Sequence, residues 1–96
     1  MTNLEFHPVA QSEYDSAADW YTKKSAKAAA RFVSEVETAI DAIRRDPEQY
    51  PRWDNVHRLY LLNHFPYYVA YRLTSDSVVV VAIRHASQDQ EAWKGR

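Results

Sequence analysis

The chain has 96 residues, 12 Lys and Arg against 13 Asp and Glu, and no cysteine. That length makes one small domain, residues 1–96, and the net charge of −1 excludes a generic nucleic-acid binder that relies on counterion release. The absence of cysteine excludes disulfide frameworks and thiolate metal sites, and with no run of the ~20 apolar residues that a membrane span needs and no charged-then-apolar leader, a cytoplasmic protein without membrane contact is expected.

Leu4 to His7 reads as a short extended start, and Pro8 fits the first turn of a helix, where its missing N–H is not needed. That helix is predicted from Pro8 to Lys24, with Ala10, Tyr14, Ala17, Ala18 and Tyr21 on its inward stripe and Trp20 off the centre. Glu13, Asp15 and Asp19 read as ordinary solvated charges near its N-terminus. A break at Ser25 leads to a second helix from Ala26 to Arg45, which presents Ala29, Phe32, Val33, Val36, Ile40 and Ile43 on one face. Arg31 with Glu35, and Asp41 with Arg45, are spaced to pair on its wet side. So short a break predicts an antiparallel helical hairpin.

Asp46 to Val56, with Pro47 and Pro51 and no Gly or Ser, reads as an ordered loop. Strands follow at His57–Leu62, Tyr67–Leu73 and Ser77–Arg84, separated by turns at Asn63–Pro66 and Thr74–Asp76. Alternation puts Tyr67, Val69, Tyr71 and Leu73 on one face of the middle strand, and Tyr68, Ala70 and Arg72 on the other. In the last strand it puts Val79, Val81, Ile83 and His85 on the helix side and Val78, Val80, Ala82 and Arg84 opposite. The predicted fold is therefore α+β: an N-terminal strand, an antiparallel helical hairpin and a three-stranded antiparallel meander, with the helices on one sheet face.

Charge is uneven along the chain. Residues 1–49 hold six Lys and Arg against nine Asp and Glu, whereas residues 50–96 hold six against four together with three of the four His. Any anion-binding surface is therefore expected in the second half. The aromatic share of 14% is high for a domain of this size, and large rings are enriched where proteins meet partners.

Three patterns in this chain resemble the RelE/ParE superfamily of bacterial toxins from type II toxin–antitoxin systems. Phe6 to Ala10 runs into a helix ending in Trp20-Tyr21. Arg58 is followed by His64-Phe65-Pro66-Tyr67 and Ala70-Tyr71-Arg72. Ala82-Ile83-Arg84-His85 is followed by Trp93-Lys94-Gly95-Arg96. Together they span nearly the whole chain. The tail departs from the family pattern, with Gln88, Gln90 and Ala92 where Arg, Pro and Tyr are usual, and Tyr68 stands where the ribosome-dependent nucleases carry a catalytic arginine. There is also no Lys between Ala28 and Trp93. The resemblance is thus nearer the ParE side. It implies a growth-inhibiting toxin of the kind found in plasmid stabilisation, which acts on DNA gyrase and is neutralised by a cognate antitoxin. The RelE alternative implies a ribosome-dependent messenger endoribonuclease, and a third reading is an inactive homologue kept for antitoxin binding.

RNA cleavage through the 2′-hydroxyl needs a base, a phosphate-holding cation and an acid. Arg58, Arg72 and Arg84 can supply the cation and His85 or His64 the proton transfer, so Arg58, Arg72, Arg84 and His85 are the catalytic candidates if the chain is a nuclease. Weighed against that, Arg72 and Arg84 read as paired surface cations, Arg58 as meeting an acidic antitoxin and His85 as capping a core row. The target- or antitoxin-binding candidates are Arg58, His64, Tyr68, Arg72, Arg84 and Trp93, with Tyr68 packing a partner's apolar side chain and Trp93 an exposed, target-facing anchor on the tail. His7, His57 and His64 lack metal-ligand spacing, so neither metal nor cofactor is expected, nor sequence-specific nucleic-acid binding by the chain alone.

Overall fold

The helix that Pro8 opens runs to Lys24 in the computed structural model, which describes residues 2–96. His7 caps it, its Nδ1 accepting from the Val9 N–H at 3.1 Å. Ser25 then serves two helices at once. Its backbone N–H closes the first by donating to the Tyr21 carbonyl, and its hydroxyl opens the second by accepting from the Ala28 N–H. The elements in chain order are β1 (Asn3–Phe6), α1 (Pro8–Lys24), α2 (Ala26–Arg45), β2 (His57–Leu61), β3 (Tyr67–Leu73) and β4 (Ser77–His85). This is the predicted α+β order, with both helices matching their predicted bounds and the strands within a residue of theirs.

The sheet order is β1-β4-β3-β2. β2, β3 and β4 form the antiparallel meander, and β1 lies parallel beside β4, Asn3 opposite Ser77 and Phe6 opposite Val80. A parallel neighbour needs a long crossover, which the helical hairpin provides. No residue with positive φ occurs among the described residues, so the glycine-free turns rest on side chains instead. At Thr74–Ser77, for example, the Thr74 hydroxyl accepts from the Ser77 N–H at 3.0 Å.

The faces of β4 differ from the predicted alternation. Ala70 pairs with Ala82 but Tyr71 pairs with Val80, leaving Val81 as the extra residue of a bulge. The bulge reverses the facing of everything before it. Val78 and Val80, with Ile83, pack with Phe32, Val36, Ile43, Val69 and Tyr71 in the core beneath the helices, whereas Val79, Val81 and Ala82 face away.

A second core fills that opposite face. The segment after β4 crosses the sheet and lays Trp93 on Tyr68, Ala70, Val79, Val81 and Ala82. Trp93 is 0% exposed, and its Nε1–H donates to the Tyr68 hydroxyl at 2.9 Å. The expectation of an exposed Trp93 anchor, and of Tyr68 offered to a partner, is thereby corrected. Both side chains are part of the scaffold, since a sheet apolar on both faces must be covered on both.

Candidate partner-binding groove

β1 stops opposite Val80, so the outer edge of β4 beyond that point has no strand beside it. α1 crosses there instead. Glu13 accepts from the Ile83 N–H at 3.2 Å through Oε1, while its Oε2 takes Arg84 Nη1 at 2.7 Å and Arg96 Nη1 at 3.0 Å. The same Arg96 nitrogen donates to the Val81 carbonyl, so one carboxylate and one guanidinium finish the strand edge. Glu13 is therefore no ordinary solvated helix charge: its side chain is 14% exposed and it holds strand, tail and helix together. The signal was present in the spacing of Ala10, Glu13 and Ala17, which places Glu13 on the buried side of the helix.

Between α1 and this edge runs a groove of about 620 Å3 lined by Val9, Trp20, Tyr21, Tyr67 and His85 among others. Trp20 is 52% exposed, with Lys24 Nζ above its ring at 4.9 Å. His85 sits edge-on to Tyr67, and its Nδ1 accepts both the Ser87 N–H at 3.0 Å and the Ser87 hydroxyl at 2.7 Å. With Nδ1 taken up by Ser87, Nε2 is the ring nitrogen of His85 left for the groove.

The nuclease candidates are split between the two ends of the sheet: Arg58 and Arg72 line one cleft, while Arg84 and His85 lie at the other end. Arg58 pairs with Tyr71, on the helix side of the sheet, and donates to the Tyr50 carbonyl at 2.8 Å. Arg72 faces the other way and donates through Nε to the Arg96 carbonyl. Arg84 stands opposite Tyr68, four residues from Arg72 along β3, which is about 13 Å of strand. It is tied to Glu13, as a paired cation, while Arg72 makes no ion pair with an acidic side chain among the described residues. Burial pushes the Tyr68 phenol up despite the Trp93 hydrogen bond and the Arg84 charge, so it is a poor proton donor at neutral pH. Burial likewise raises Tyr71 to about 12, with Arg58 opposing.

His64 lies on the far side of α2. Glu35 accepts its N–H at 2.8 Å and its Nδ1–H at 3.0 Å, so Glu35 ties the β2–β3 turn to the helix. The predicted Arg31–Glu35 and Asp41–Arg45 pairs are not among the ion pairs of the described residues. A comparable clamp orders the loop before β2. Asp54 Oδ1 accepts from the Val56 and His57 N–H groups, and Oδ2 from His57 Nδ1 at 3.0 Å. The buried His57 ring meets Trp93 edge-on, with centroids 5.0 Å apart.

Burial alone raises the Asp54 carboxyl, but these hydrogen bonds and the His57 charge outweigh it and lower the pKa from 3.8 to about 2. A folded pKa below the unfolded one gives stability that is complete above pH ~4 and lost as pH falls toward 2. We expect about 1–2 kcal/mol to disappear across that window once solvent screening is allowed for. Asp54→Asn should flatten this part of the profile in urea melts taken between pH 2 and 5. An unchanged slope in the variant counts against the clamp.

Over residues 4–90 the chain matches the family described as "ParE toxin of type II toxin-antitoxin system, parDE". No curated protein sequence matches it. Among solved structures it is similar to a chain from "Chromosomal ParDE TA system from P. aeruginosa", with TM-score 0.76 and 17% identity over 88% of this chain and 96% of that one. At that identity the likeness shows the fold alone. The family match spans nearly the whole domain, and with the sheet order and helical hairpin described above, the chain belongs to the ParE toxin family of type II toxin–antitoxin systems.

Proposed function

We propose that this chain is a toxin that acts by binding rather than cleaving, with DNA gyrase as the target that membership of the ParE family suggests, and that a cognate antitoxin neutralises it by occupying the groove along α1 and the β4 edge. The observation that carries the reading is the sheet face opposite the helices. There a phosphate-transfer site beside His85 would need an open cation, but Trp93 covers the face and the neighbouring Arg84 is bound to Glu13, while Arg58 and Arg72 stand at the opposite end of the sheet. The groove supports the antitoxin half. It sets exposed apolar side chains, Val9 and Trp20, beside Tyr21 and Tyr67, a combination suited to the apolar face of an amphipathic helix.

Induced expression without antitoxin tests the target. The expected result is growth arrest with DNA breaks and SOS induction while transcripts stay intact. Messenger cleavage, or translation arrest ahead of any DNA damage, would overturn the binding mechanism in favour of a ribonuclease, and the variants Arg84→Ala and His85→Ala would then lose it.

A further inference from the structure

The opposite end of the sheet from the groove carries a second site. Three arginines from three separate segments, Arg52 of the loop, Arg58 of β2 and Arg72 of β3, line one cleft of about 310 Å3. None forms an ion pair with an Asp or Glu side chain among the described residues. Each is held instead by a main-chain oxygen: Arg52 by Asn55 at 3.4 Å, Arg58 by Tyr50 at 2.8 Å and Arg72 by Arg96 at 3.1 Å. Single anchors of this kind position a guanidinium while leaving most of its five N–H donors free. Among the side chains that line the cleft, three arginines stand against one acid, Glu48.

We propose that this cleft is an anion site that takes paired carboxylates of an acidic peptide segment. Fork-shaped donors suit carboxylate and phosphate alike, so the surroundings decide between them. Val56, 59% exposed, and Leu73, 36% exposed, line the cleft and offer apolar contact to side chains next to the acidic ones. A single-stranded nucleic acid would instead want an exposed ring on which to stack its bases, and the one aromatic residue of the cleft, Tyr71, is fully buried with its hydroxyl donated to the Pro47 carbonyl. The net charge of −1 also works against polyanion binding over a wide surface and for a local contact. Naming the antitoxin as the source of the peptide rests on the function proposed above; the chemistry of the site does not.

Fluorescence anisotropy on the purified full chain tests it with three labelled probes: a short synthetic peptide with a Leu-Glu-Glu-Val core, the same peptide with Gln for Glu, and a short single-stranded DNA. The Glu peptide should bind about tenfold or more tighter than the Gln peptide, and the double variant Arg52→Gln/Arg72→Gln should lose about that factor, as expected for charge-assisted contacts. Arg58→Gln should weaken binding similarly, with thermal melts confirming that each variant is folded. The control Arg31→Gln/Arg45→Gln, on α2 and outside the cleft, should bind as the parent does. Equal binding of the two peptides, no binding of either, tighter binding of the DNA, or an equal loss in the control would each overturn the assignment. No growth phenotype enters this measurement, so its failure is distinguishable from failure of the toxin reading.

Discussion

Trp93→Ala should lower stability by roughly 3–5 kcal/mol, the range for a large aromatic removed from a core. For a domain of this size that corresponds to a fall in melting temperature of roughly 15–30 °C. Trp93 is fully buried, packs on five side chains of the sheet and donates a buried hydrogen bond to Tyr68. Removing it strips the cover from Val79, Val81 and Ala82 and leaves the phenol without its donor. Trp93→Phe separates the two contributions. It keeps most of the apolar contact and loses the N–H, so it should cost about 1–3 kcal/mol, the penalty for an unsatisfied buried group. A variant lacking residues 87–96 should behave like Trp93→Ala or worse, because Arg96 leaves Glu13 and Val81 at the same time. A Trp93→Ala protein that melts within a few degrees of the parent would show that the tail lies on the sheet without supporting it.

The second large effect is expected at Glu13. Glu13→Ala removes the acceptor of the Ile83 N–H and the shared partner of Arg84 and Arg96, whose side chains are 15% and 14% exposed. Breaking a buried pair from one side leaves an uncompensated charge behind and costs ~3–5 kcal/mol when burial is complete. With this much solvent access we expect about 2–4 kcal/mol in urea denaturation. Glu13→Gln retains an oxygen for Ile83 and should lose only part of that. Arg84→Met combined with Glu13→Gln closes a double-mutant cycle, and a coupling below about 0.5 kcal/mol would reduce the pair to a surface contact.

The helices and element order were legible because the chain punctuates them chemically: His7-Pro8, Ser25 and Asp46-Pro47 mark all four helix ends, Ser25 serving two, with residues whose backbone preferences are strong. β4 was legible as a strand but not in its facing. With valine at every position from 78 to 81, alternation carries no sign, and the bulge at Val81 forms without a glycine to announce it. The tail was misread for a related reason. Its composition is that of a solvated segment, yet β4 is apolar on both faces while two helices cover only one, so a further large side chain had to close the other. Trp93 was the ring left over once the helical core was filled. Of the candidate site, Arg58, Arg72, Arg84 and His85 were legible as residue types but not as a constellation. The sheet ends that separate Arg58 and Arg72 from Arg84 and His85 are tertiary facts, and Glu13, which neutralises Arg84, comes from 71 residues away.

The position of β1 also bears on when the toxin can exist. Among the described residues its one partner strand is β4, with Asn3 opposite Ser77, so β1 has nothing to pair with until the last-made strand of this sheet is in place. Trp93 and Arg96 close the other face later still. The helical hairpin can form during synthesis, but long-range pairing of this kind is slow to establish and comes after loop closure. Before β4 is made the chain therefore holds an amphipathic hairpin without a sheet to cover it, and the groove between α1 and the β4 edge is assembled only once that strand is in place. Until α1 and β4 have come together, that groove does not exist for anything to bind.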